Sequence, residues 1–185
     1  MKDGHFLLSS GKHSDQYVEK FDLLRNPRAT ERACRVIADR FKNETIDVVV
    51  GPTTGGVILA FEVGRQLGCL AAYAERKSDG SIGREFRRGT TFTPGQRVLV
   101  VDDILTTGGS VRETLVALHD EPVEIVAISV LVDRSGGKVT FDDLPLVALS
   151  TLDVKTRDPE DCPLCAGGMP LVKPGTTHVA SPTSS

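Results

Sequence analysis

The sequence has no tryptophan, only four cysteines among its 185 residues, and no hydrophobic run long enough to cross a membrane. A membrane-spanning helix needs about 20 apolar residues, and the segment 1–11 is too short and too mixed to be a secretory signal. Cysteines this few and this scattered do not form the framework of a small secreted scaffold. These absences predict a cytoplasmic protein with reduced thiols and no membrane partner.

The sequence also lacks an excess of positive charge, because its 22 Lys+Arg and 25 Asp+Glu give a net charge of −3. A general nucleic-acid binder normally carries a basic stripe or stacking aromatic side chains, whereas only 5% of these residues are aromatic. We therefore expect no nucleic-acid partner. Any anionic ligand must be held by charges and backbone N–H groups concentrated in one place.

What the sequence does contain is an alternation of short apolar runs and amphipathic segments. The apolar runs lie at 46–50, 70–74, 97–101 and 123–132, and helical periodicity follows at 26–43, 57–64 and 110–119. Continuous apolar strands separated by helices indicate a parallel sheet covered on both faces, so the predicted class is α/β. The residues at helical spacing are Ala33, Val36, Ile37, Arg40 and Phe41 in the first helix, and Val57, Ala60, Phe61 and Gly64 in the second.

A chain of this length suits a single globular domain, which we expect to span residues 1–175. Two stretches rich in glycine, proline and polar residues, about 1–25 and 153–174, fall outside the strand and helix rhythm. They are expected to fold together as a small hood. Residues 176–185 are small and polar and cannot bury a core, so a disordered tail is predicted there.

The most informative stretch is 98–110, VLVVDDILTTGGS, in which a buried strand ends in two carboxylates and a glycine-rich turn opens a helix. Ligands of open parallel sheets bind beyond the carboxyl ends of the strands, and N–H groups at a helix N-terminus bind anions. Thr106, Thr107 and Ser110 add hydroxyl donors. Asp102 and Asp103 can accept hydrogen bonds from sugar hydroxyls or lie in the second shell of a hydrated Mg²⁺. The predicted ligand is a phosphorylated ribose; an ordinary capped helix after two solvated acids is the alternative.

This stretch resembles the phosphoribosyl pyrophosphate signature of the type I phosphoribosyltransferases. The segment 4–19, GHFLLSSGKHSDQYVE, is similar to the N-terminal motif of the orotate phosphoribosyltransferases within that family. Further likeness at 51–59, 74–89 and 132–134 extends the resemblance over nearly the whole chain. It implies a central, mainly parallel sheet flanked by helices, with a hood built from both termini, and a homodimer.

The resemblance also implies a glycosyltransferase of pyrimidine biosynthesis. Such an enzyme transfers the 5-phosphoribosyl group from phosphoribosyl pyrophosphate to N1 of orotate, releases pyrophosphate and requires Mg²⁺ as its cofactor. Two alternatives stay open, because fold alone does not decide function. One is transfer to another base, and the other is a non-catalytic regulator that binds phosphoribosyl pyrophosphate.

Carried over residue by residue, the resemblance assigns the ribose hydroxyls to Asp102 and Asp103. These acids would lie in the second shell of Mg²⁺, and no protein group would ligate the metal directly. Thr106, Arg134 and Tyr17 are expected to bind orotate. The planar guanidinium of Arg134 suits carbonyl and carboxylate oxygens better than a lysine would.

The resemblance further implies a mobile loop, beginning at Arg76 and Lys77, that closes over the site and excludes water. These two residues, with Asp102 and Asp103, are the expected catalytic residues. A non-proline cis peptide is expected near Thr53. The residues expected to bind phosphoribosyl pyrophosphate are Thr53, Thr54, Gly55, Arg76, Lys77, Asp102, Asp103, Ile104, Leu105, Thr106, Thr107, Gly108, Gly109 and Ser110.

Three lysines of the best-known bacterial members are missing from this sequence. One would follow Lys77 in the loop, one would replace Ser9, and one belongs to a Tyr-Lys pair where Thr53 and Thr54 stand. Other cations must then supply the charge. The candidates are Lys20, Arg84, Arg87 and Arg88.

Cys162 and Cys165 have the C-x₂-C spacing of a zinc knuckle, but a tetrahedral site needs four ligands and the sequence has no second such pair. We therefore expect a simple pair of thiols, with a zinc half-site shared across a dimer as the alternative. The four histidines show no metal-ligand spacing: His5, His13, His119 and His178.

Overall fold

The computed structural model describes residues 2–8, 11–17, 20–152 and 155–174, and for Lys20 and Phe21 the backbone alone. The predicted tail at 176–185, Ser9, His178 and the side chain of Lys20 lie outside this description. The chain divides into two compact units, one of residues 20–153 and the other of residues 1–19 and 154–185. Within the described ranges, none of the helices combines the length and hydrophobicity that crossing a bilayer requires.

The elements follow one another along the chain in a largely alternating order. The strands are β1 (Lys2–Leu7), β2 (His13–Tyr17), β3 (Val48–Pro52), β4 (Leu70–Arg76), β5 (Arg84–Glu85), β6 (Gln96–Leu105), β7 (Val123–Asp133), β8 (Leu146–Thr151) and β9 (Thr156–Arg157). The helices are α1 (Lys20–Leu24), α2 (Pro27–Phe41), α3 (Gly55–Leu67), α4 (Gly109–His119) and α5 (Pro163–Ala166), with a 3₁₀ turn at Pro159–Asp161 before α5.

The larger unit is built on a six-stranded sheet with the order β5-β4-β3-β6-β7-β8. All neighbours are parallel except β4 and β5, which form an antiparallel hairpin. The predicted α/β class with a mainly parallel sheet is therefore confirmed. Because the central strands run in the same direction, the residues that follow β3, β4, β6 and β7 meet at one edge of the sheet.

The central strands are buried on both faces, which explains their continuous runs of valine. Successive side chains of a strand point to opposite faces. Accordingly, Val49, Leu99 and Val101 pack in one core with residues of α2 and α3. Val48 and Val50 pack in a second core with residues of α4.

Helix α2 begins at Pro27, as the sequence predicts, but the face that it buries differs from the face that the apolar spacing indicates. The residues that it buries are Thr30, Cys34, Ile37, Ala38 and Phe41. Val36 is 46% exposed, and Arg40 is exposed as well. In α3, the helical spacing groups Phe61 with Val57, Ala60 and Gly64 on one face, but its side chain is 66% exposed. Apolar spacing alone does not decide which of two adjacent apolar residues faces the sheet.

The sequence predicts that this strand ends in its two carboxylates, but β6 continues beyond them to Leu105. Asp102 and Asp103 therefore lie within the ladder that pairs β6 with β7 rather than at its end. Strand β8 at the edge of the sheet was not predicted at all. Its pairing with β7 supplies backbone partners that a single sequence does not reveal.

The smaller unit contains a three-stranded antiparallel sheet with the order β1-β2-β9. The C-terminal segment returns to the first strand, where the N–H of Leu7 donates to the carbonyl of Val172 (2.9 Å) and the N–H of Val172 donates to the carbonyl of His5 (2.8 Å). This unit thus joins the beginning of the chain to a segment about 160 residues later.

Substituting Asn26 with alanine is expected to lower the free energy of unfolding by about 1 kcal/mol. The Asn26 side chain accepts a hydrogen bond from the N–H of Ala29 (3.2 Å), and Pro27 occupies the first turn of α2. Urea unfolding of Asn26→Ala, with Asn26→Asp as the control that keeps the acceptor, tests this. Equal losses in both variants would show that the side chain does not cap the helix.

Candidate active site

A cleft of about 220 Å³ opens at the edge of the sheet where β6 ends and α4 begins. Its walls come from the end of β4, the end of β6, the connecting turn and the first two turns of α4. The lining residues are Arg76, Asp102, Ile104, Leu105, Thr106, Thr107, Gly108, Gly109, Ser110, Val111 and Glu113. The structure thus gathers most of the predicted ribose-phosphate residues and one of the two predicted loop cations around one cavity.

The turn at 106–109 is shaped for an anion. Gly108 has a φ of +79°, and a Cβ there would lie 3.0 Å from Val139 Cγ1 and 3.1 Å from Phe141 Cζ, so both the backbone and the packing require glycine. It is the N-cap of α4, and no described side chain caps this helix. The first-turn N–H groups of α4 are therefore left to a bound ligand or to water, beside the exposed hydroxyls of Thr106 and Thr107.

Asp102 and Asp103 are buried, with exposed fractions of 6% and 3%. The N–H of Asp103 donates to Asp102 Oδ1 (2.8 Å), and the N–H of Ile104 donates to Asp103 Oδ1 (2.7 Å). These bonds fix the orientation of both carboxylates. As neighbours on a strand they point to opposite faces, and Asp102 is the one that lines the cleft.

The carboxylate of Asp103 faces the turn between β3 and α3. A Cβ on Gly55 would collide with the carboxylate of Asp103, so the backbone at the start of α3 lies directly against this acid. The predicted cis peptide is present between Thr53 and Thr54. Asp103 therefore lies against the turn at 53–55, whose residues the resemblance assigned to phosphoribosyl pyrophosphate.

Arg84 connects the turn before α3 with β4 and α4. Its side chain is 1% exposed, and Nη1 donates to Thr53 Oγ1 (3.1 Å) and to the carbonyl of Ala74 (3.0 Å). Its Nε lies 3.3 Å from Glu113 Oε2 on α4. Burial lowers the pKa of the Arg84 guanidinium, and the charge of Glu113 opposes this shift. Sequence analysis offered Arg84 as a loop cation, but the structure makes it a fixed, buried link between β4, α4 and the turn.

The loop between β4 and β5 is a hairpin in which the N–H of Lys77 donates to the carbonyl of Gly83 (3.3 Å). Arg76 lines the cleft, whereas Lys77 is not among the lining residues. Ser78 is held by its N–H, which donates to Glu85 Oε1 (2.9 Å). The structure thus places Arg76 at the cavity and Lys77 on the adjoining turn.

Arg87 and Arg88 do not line the cleft and are instead paired with Glu75. Arg88 donates from Nε and Nη2 to the two carboxylate oxygens of Glu75 (3.0 and 3.1 Å), and Arg87 Nη2 donates to Oε1 (3.1 Å). The hydrogen bond from Arg88, followed by the charges of both arginines, holds the pKa of Glu75 below its ordinary value. The positive charges of Arg87 and Arg88 therefore act on Glu75 rather than on a ligand in the cleft.

Arg134 lies at the same edge, because its N–H donates to the carbonyl of Leu105 at the end of β6 (2.8 Å). The preceding Asp133 is 3% exposed and accepts hydrogen bonds from the N–H groups of Ser135 (2.7 Å) and Gly137 (3.1 Å). Asp133 thus shapes the turn that carries Arg134. Sequence analysis overlooked it, although an aspartate followed by Ser and Gly is a turn signal.

Tyr17, the remaining predicted orotate residue, belongs to the smaller unit. It lies on β2, where its ring packs against Phe6 with centroids 5.5 Å apart. Its part in binding a ligand stays a prediction.

Three comparisons place the chain among known proteins. Residues 22–158 match the family model described as phosphoribosyl transferase domain. An orotate phosphoribosyltransferase of Caldicellulosiruptor saccharolyticus is 48% identical over 177 residues, which cover 96% of this chain and 91% of that protein.

Solved structures show the same fold. The crystal structure of an orotate phosphoribosyltransferase from Aeropyrum pernix matches with a TM-score of 0.66 and 28% identity, covering 81% of this chain and 86% of the other. An adenine phosphoribosyltransferase from Thermoanaerobacter pseudethanolicus matches with a TM-score of 0.61 over 71% of this chain and 86% of the other, but at 16% identity. The second likeness concerns the fold alone.

Proposed function

The chain belongs to the orotate phosphoribosyltransferase family, and on this premise we propose that its cleft transfers the 5-phosphoribosyl group from phosphoribosyl pyrophosphate to N1 of orotate. The products are orotidine 5′-monophosphate and pyrophosphate. The observation that carries the proposal is that each of two adjacent acids meets a turn that opens a helix: Asp102 shares the cleft with the turn at 106–109, and Asp103 lies against Gly55. Two acids beside two helix N-termini match a sugar with a phosphate at each end.

Each part of the sugar phosphate has a matching group in the cleft or in the turn at 53–55, which does not line the cleft but lies against Asp103. The 5′-phosphate is bound by the N–H groups and hydroxyls of 106–110, and the ribose hydroxyls donate to Asp102 and Asp103. The pyrophosphate is bound by the backbone of Thr53, Thr54 and Gly55 at the start of α3. Arg76, which lines the cavity, supplies positive charge to the same end.

The reaction needs positioning and charge stabilisation more than proton transfer. As the bond from ribose C1 to pyrophosphate lengthens, positive charge develops on the sugar and negative charge on the leaving group. The carboxylates of Asp102 and Asp103 stabilise the sugar, while helix N–H groups and Arg76 stabilise the pyrophosphate. Holding N1 of orotate in line behind C1 lowers the entropic part of the barrier.

Mg²⁺ fits this donor set, because a hard cation that keeps several waters is commonly held through substrate phosphates and one or two carboxylates. Asp102 and Asp103 would hold its water ligands, without direct ligation by the protein. Bound with the substrate, the ion would supply charge neutralisation on the leaving pyrophosphate. Fixed by their neighbouring N–H groups, the two carboxylates are preorganised for both the sugar and the hydrated ion.

On the other side of the sugar, Arg134 and Thr106 are proposed to bind orotate, with Arg134 directed to its oxygens, while the role of Tyr17 stays a prediction. The turn at 133–137 supports this role, since a buried aspartate fixes it and it is hydrogen-bonded to the end of β6. The planar guanidinium of Arg134 suits a flat base that carries a carboxylate.

We also propose that the enzyme is a cytoplasmic homodimer with no nucleic-acid or membrane partner. The exposed ring of Phe61 and the neighbouring Ile58 form an apolar patch on α3, and a second copy of the chain is the occupant that a homodimer supplies. All four cysteines are free thiols, which suits a reducing compartment.

The experiment that tests the function is the loss of orotate absorbance in the presence of phosphoribosyl pyrophosphate and Mg²⁺, with uracil and adenine as competing bases. Consumption of orotate alone supports the proposal. Consumption of another base in its place would assign the same chemistry to that base. No consumption of any base, together with a rise in melting temperature on adding phosphoribosyl pyrophosphate, would favour a binding protein.

A further inference from the structure

The smaller unit brings two histidines and two cysteines to one point. His5 lies on β1, His13 begins β2, Cys162 immediately precedes α5, and Cys165 lies within that helix. One candidate ligand atom from each of the four residues lies within 4.8 Å of the other three. His5, His13 and Cys162 are buried, and Cys165 is exposed.

The individual distances have the dimensions of a tetrahedral metal site. His5 Nε2 lies 3.0 Å from His13 Nδ1, 3.4 Å from Cys162 Sγ and 3.7 Å from Cys165 Sγ, and His13 Nδ1 lies 3.3 Å from Cys165 Sγ. Around a tetrahedral zinc ion two nitrogens lie about 3.3 Å apart, and a nitrogen and a sulfur about 3.5 Å apart. The four distances therefore lie within about 0.3 Å of the ligand-to-ligand spacings of a tetrahedral zinc ion.

A hydrogen bond outside the cluster orients the first histidine. His5 Nδ1 lies 2.8 Å from the carbonyl of Met169, so it carries the proton and Nε2 is left with a lone pair facing the cluster. The N–H of Met169 in turn donates to the carbonyl of Leu164, inside the C-x₂-C turn (3.0 Å). A ring held in this way by a backbone carbonyl is the usual arrangement of a metal-bound histidine.

The smaller unit also has little else to hold it together. Among its described residues, the buried hydrophobic side chains are only Phe6 and Cys162, while His5, His13 and Ser14 are buried polar residues. A hydrophobic core of this size does not stabilise a fold, and small units of this kind commonly rely on a disulfide or a metal. Cys162 and Cys165 are free thiols, which leaves the metal.

We propose that His5, His13, Cys162 and Cys165 bind one Zn²⁺ as a structural site that ties the β1–β2 hairpin to the C-terminal segment. Four protein ligands close the coordination sphere, which distinguishes a structural from a catalytic zinc. Two thiolates and two imidazoles at tetrahedral spacing select zinc over Mg²⁺, which prefers oxygen ligands in an octahedron. The proposal does not depend on the reaction at the cleft of the larger unit.

The sequence shows only half of this site, the C-x₂-C pair, and the spacing of the two histidines does not reveal the other half. The two histidines are separated by seven residues and lie about 150 residues before the cysteines, so no local motif joins them. Only the antiparallel pairing of β1 with β2, and the return of the C-terminal segment to β1, bring them together.

Zinc content of the full-length protein, purified without chelator and dialysed against metal-free buffer, tests the proposal. We expect about one zinc per chain, falling to less than about a tenth in Cys165→Ser and in His13→Asn. Cys69→Ser, which removes a thiol of the larger unit, is the matched control and is expected to keep its zinc. No zinc in the wild type would overturn the proposal, and half an equivalent per chain would replace it with a site shared between two copies.

A second measurement does not depend on variants that fail to fold. Replacement of zinc by Co²⁺ in the wild-type protein is expected to give the intense visible bands of a tetrahedral ion together with a thiolate-to-cobalt charge-transfer band. A weak octahedral spectrum without the charge-transfer band would contradict the proposed ligands. Removal of zinc by a chelator is expected to lower the melting temperature, and added Zn²⁺ to restore it.

Discussion

Replacing Asp102 or Asp103 with asparagine is expected to lower kcat/KM for phosphoribosyl pyrophosphate by about 100-fold, with little effect on folding. A hydrogen bond to a charged group contributes about 1.5–3 kcal/mol, and about 2.7 kcal/mol corresponds to two powers of ten. The loss falls on kcat as well as on KM, because the carboxylates oppose the positive charge that develops on the ribose only as the bond breaks.

Folding is expected to survive because asparagine keeps the acceptor that the backbone uses. Asp102 Oδ1 and Asp103 Oδ1 accept N–H bonds from the next residue, and an amide oxygen does the same. At position 103 the new amide group would also face Gly55, so Asp103→Asn is expected to disturb the pyrophosphate turn more than Asp102→Asn does.

Thermal shift with phosphoribosyl pyrophosphate separates binding from chemistry. At a concentration 100 times its Kd the ligand stabilises the wild type by about 2.7 kcal/mol, and a 100-fold weaker Kd leaves about 0.4 kcal/mol. Asp39→Asn, at an exposed acid on α2, is the matched control and should behave as wild type. An unchanged kcat/KM in both site variants would remove the carboxylates from the proposed mechanism.

The sequence was sufficient to predict the fold class and most of the residues around the cleft. The reason is local: the strand, the two acids and the glycine-rich turn of 98–110 are contiguous, so their geometry follows from strand and helix preferences. The turn at 53–55 and Arg134 were named through the resemblance to the type I phosphoribosyltransferases. Each follows a strand, and parallel strands bring such residues to one edge.

What sequence analysis missed depends on pairs of residues far apart in the chain. Nothing local shows that Gly55 is pressed against Asp103, that Arg88 is neutralised by Glu75, or that β8 completes the sheet. The role of a basic side chain is similarly ambiguous, because the sequence does not show whether a lysine or arginine in a loop is paired with an acidic residue. Arg84 is the clearest example, because its burial and its partners reverse the role assigned to it.

Replacing Arg84 with alanine is expected to lower the free energy of unfolding by about 3–5 kcal/mol, the usual effect of removing one partner from a buried ion pair. The substitution leaves Glu113 Oε2 on α4 without its cation, and it removes the donor from Thr53 Oγ1 and from the carbonyl of Ala74. Because Thr53 begins the pyrophosphate turn, we also expect a loss of kcat/KM of about tenfold, from misplacement of that turn rather than loss of a substrate contact.

Two comparisons distinguish a positioning residue from a cation that acts on substrate. Lys77→Ala on the adjoining exposed turn is expected to reduce turnover and leave the unfolding free energy unchanged, whereas Arg84→Ala reduces both.

In the double variant Arg84→Met with Glu113→Leu, apolar side chains of similar volume replace the pair, so stability should largely return. Activity should not return with it, since the Thr53 hydroxyl still lacks its donor; Glu113 lines the cleft, so Glu113→Leu alone is the control for its own effect on turnover. Full recovery of kcat/KM in the double variant, or wild-type stability in Arg84→Ala, would show that Arg84 does not hold the turn in place.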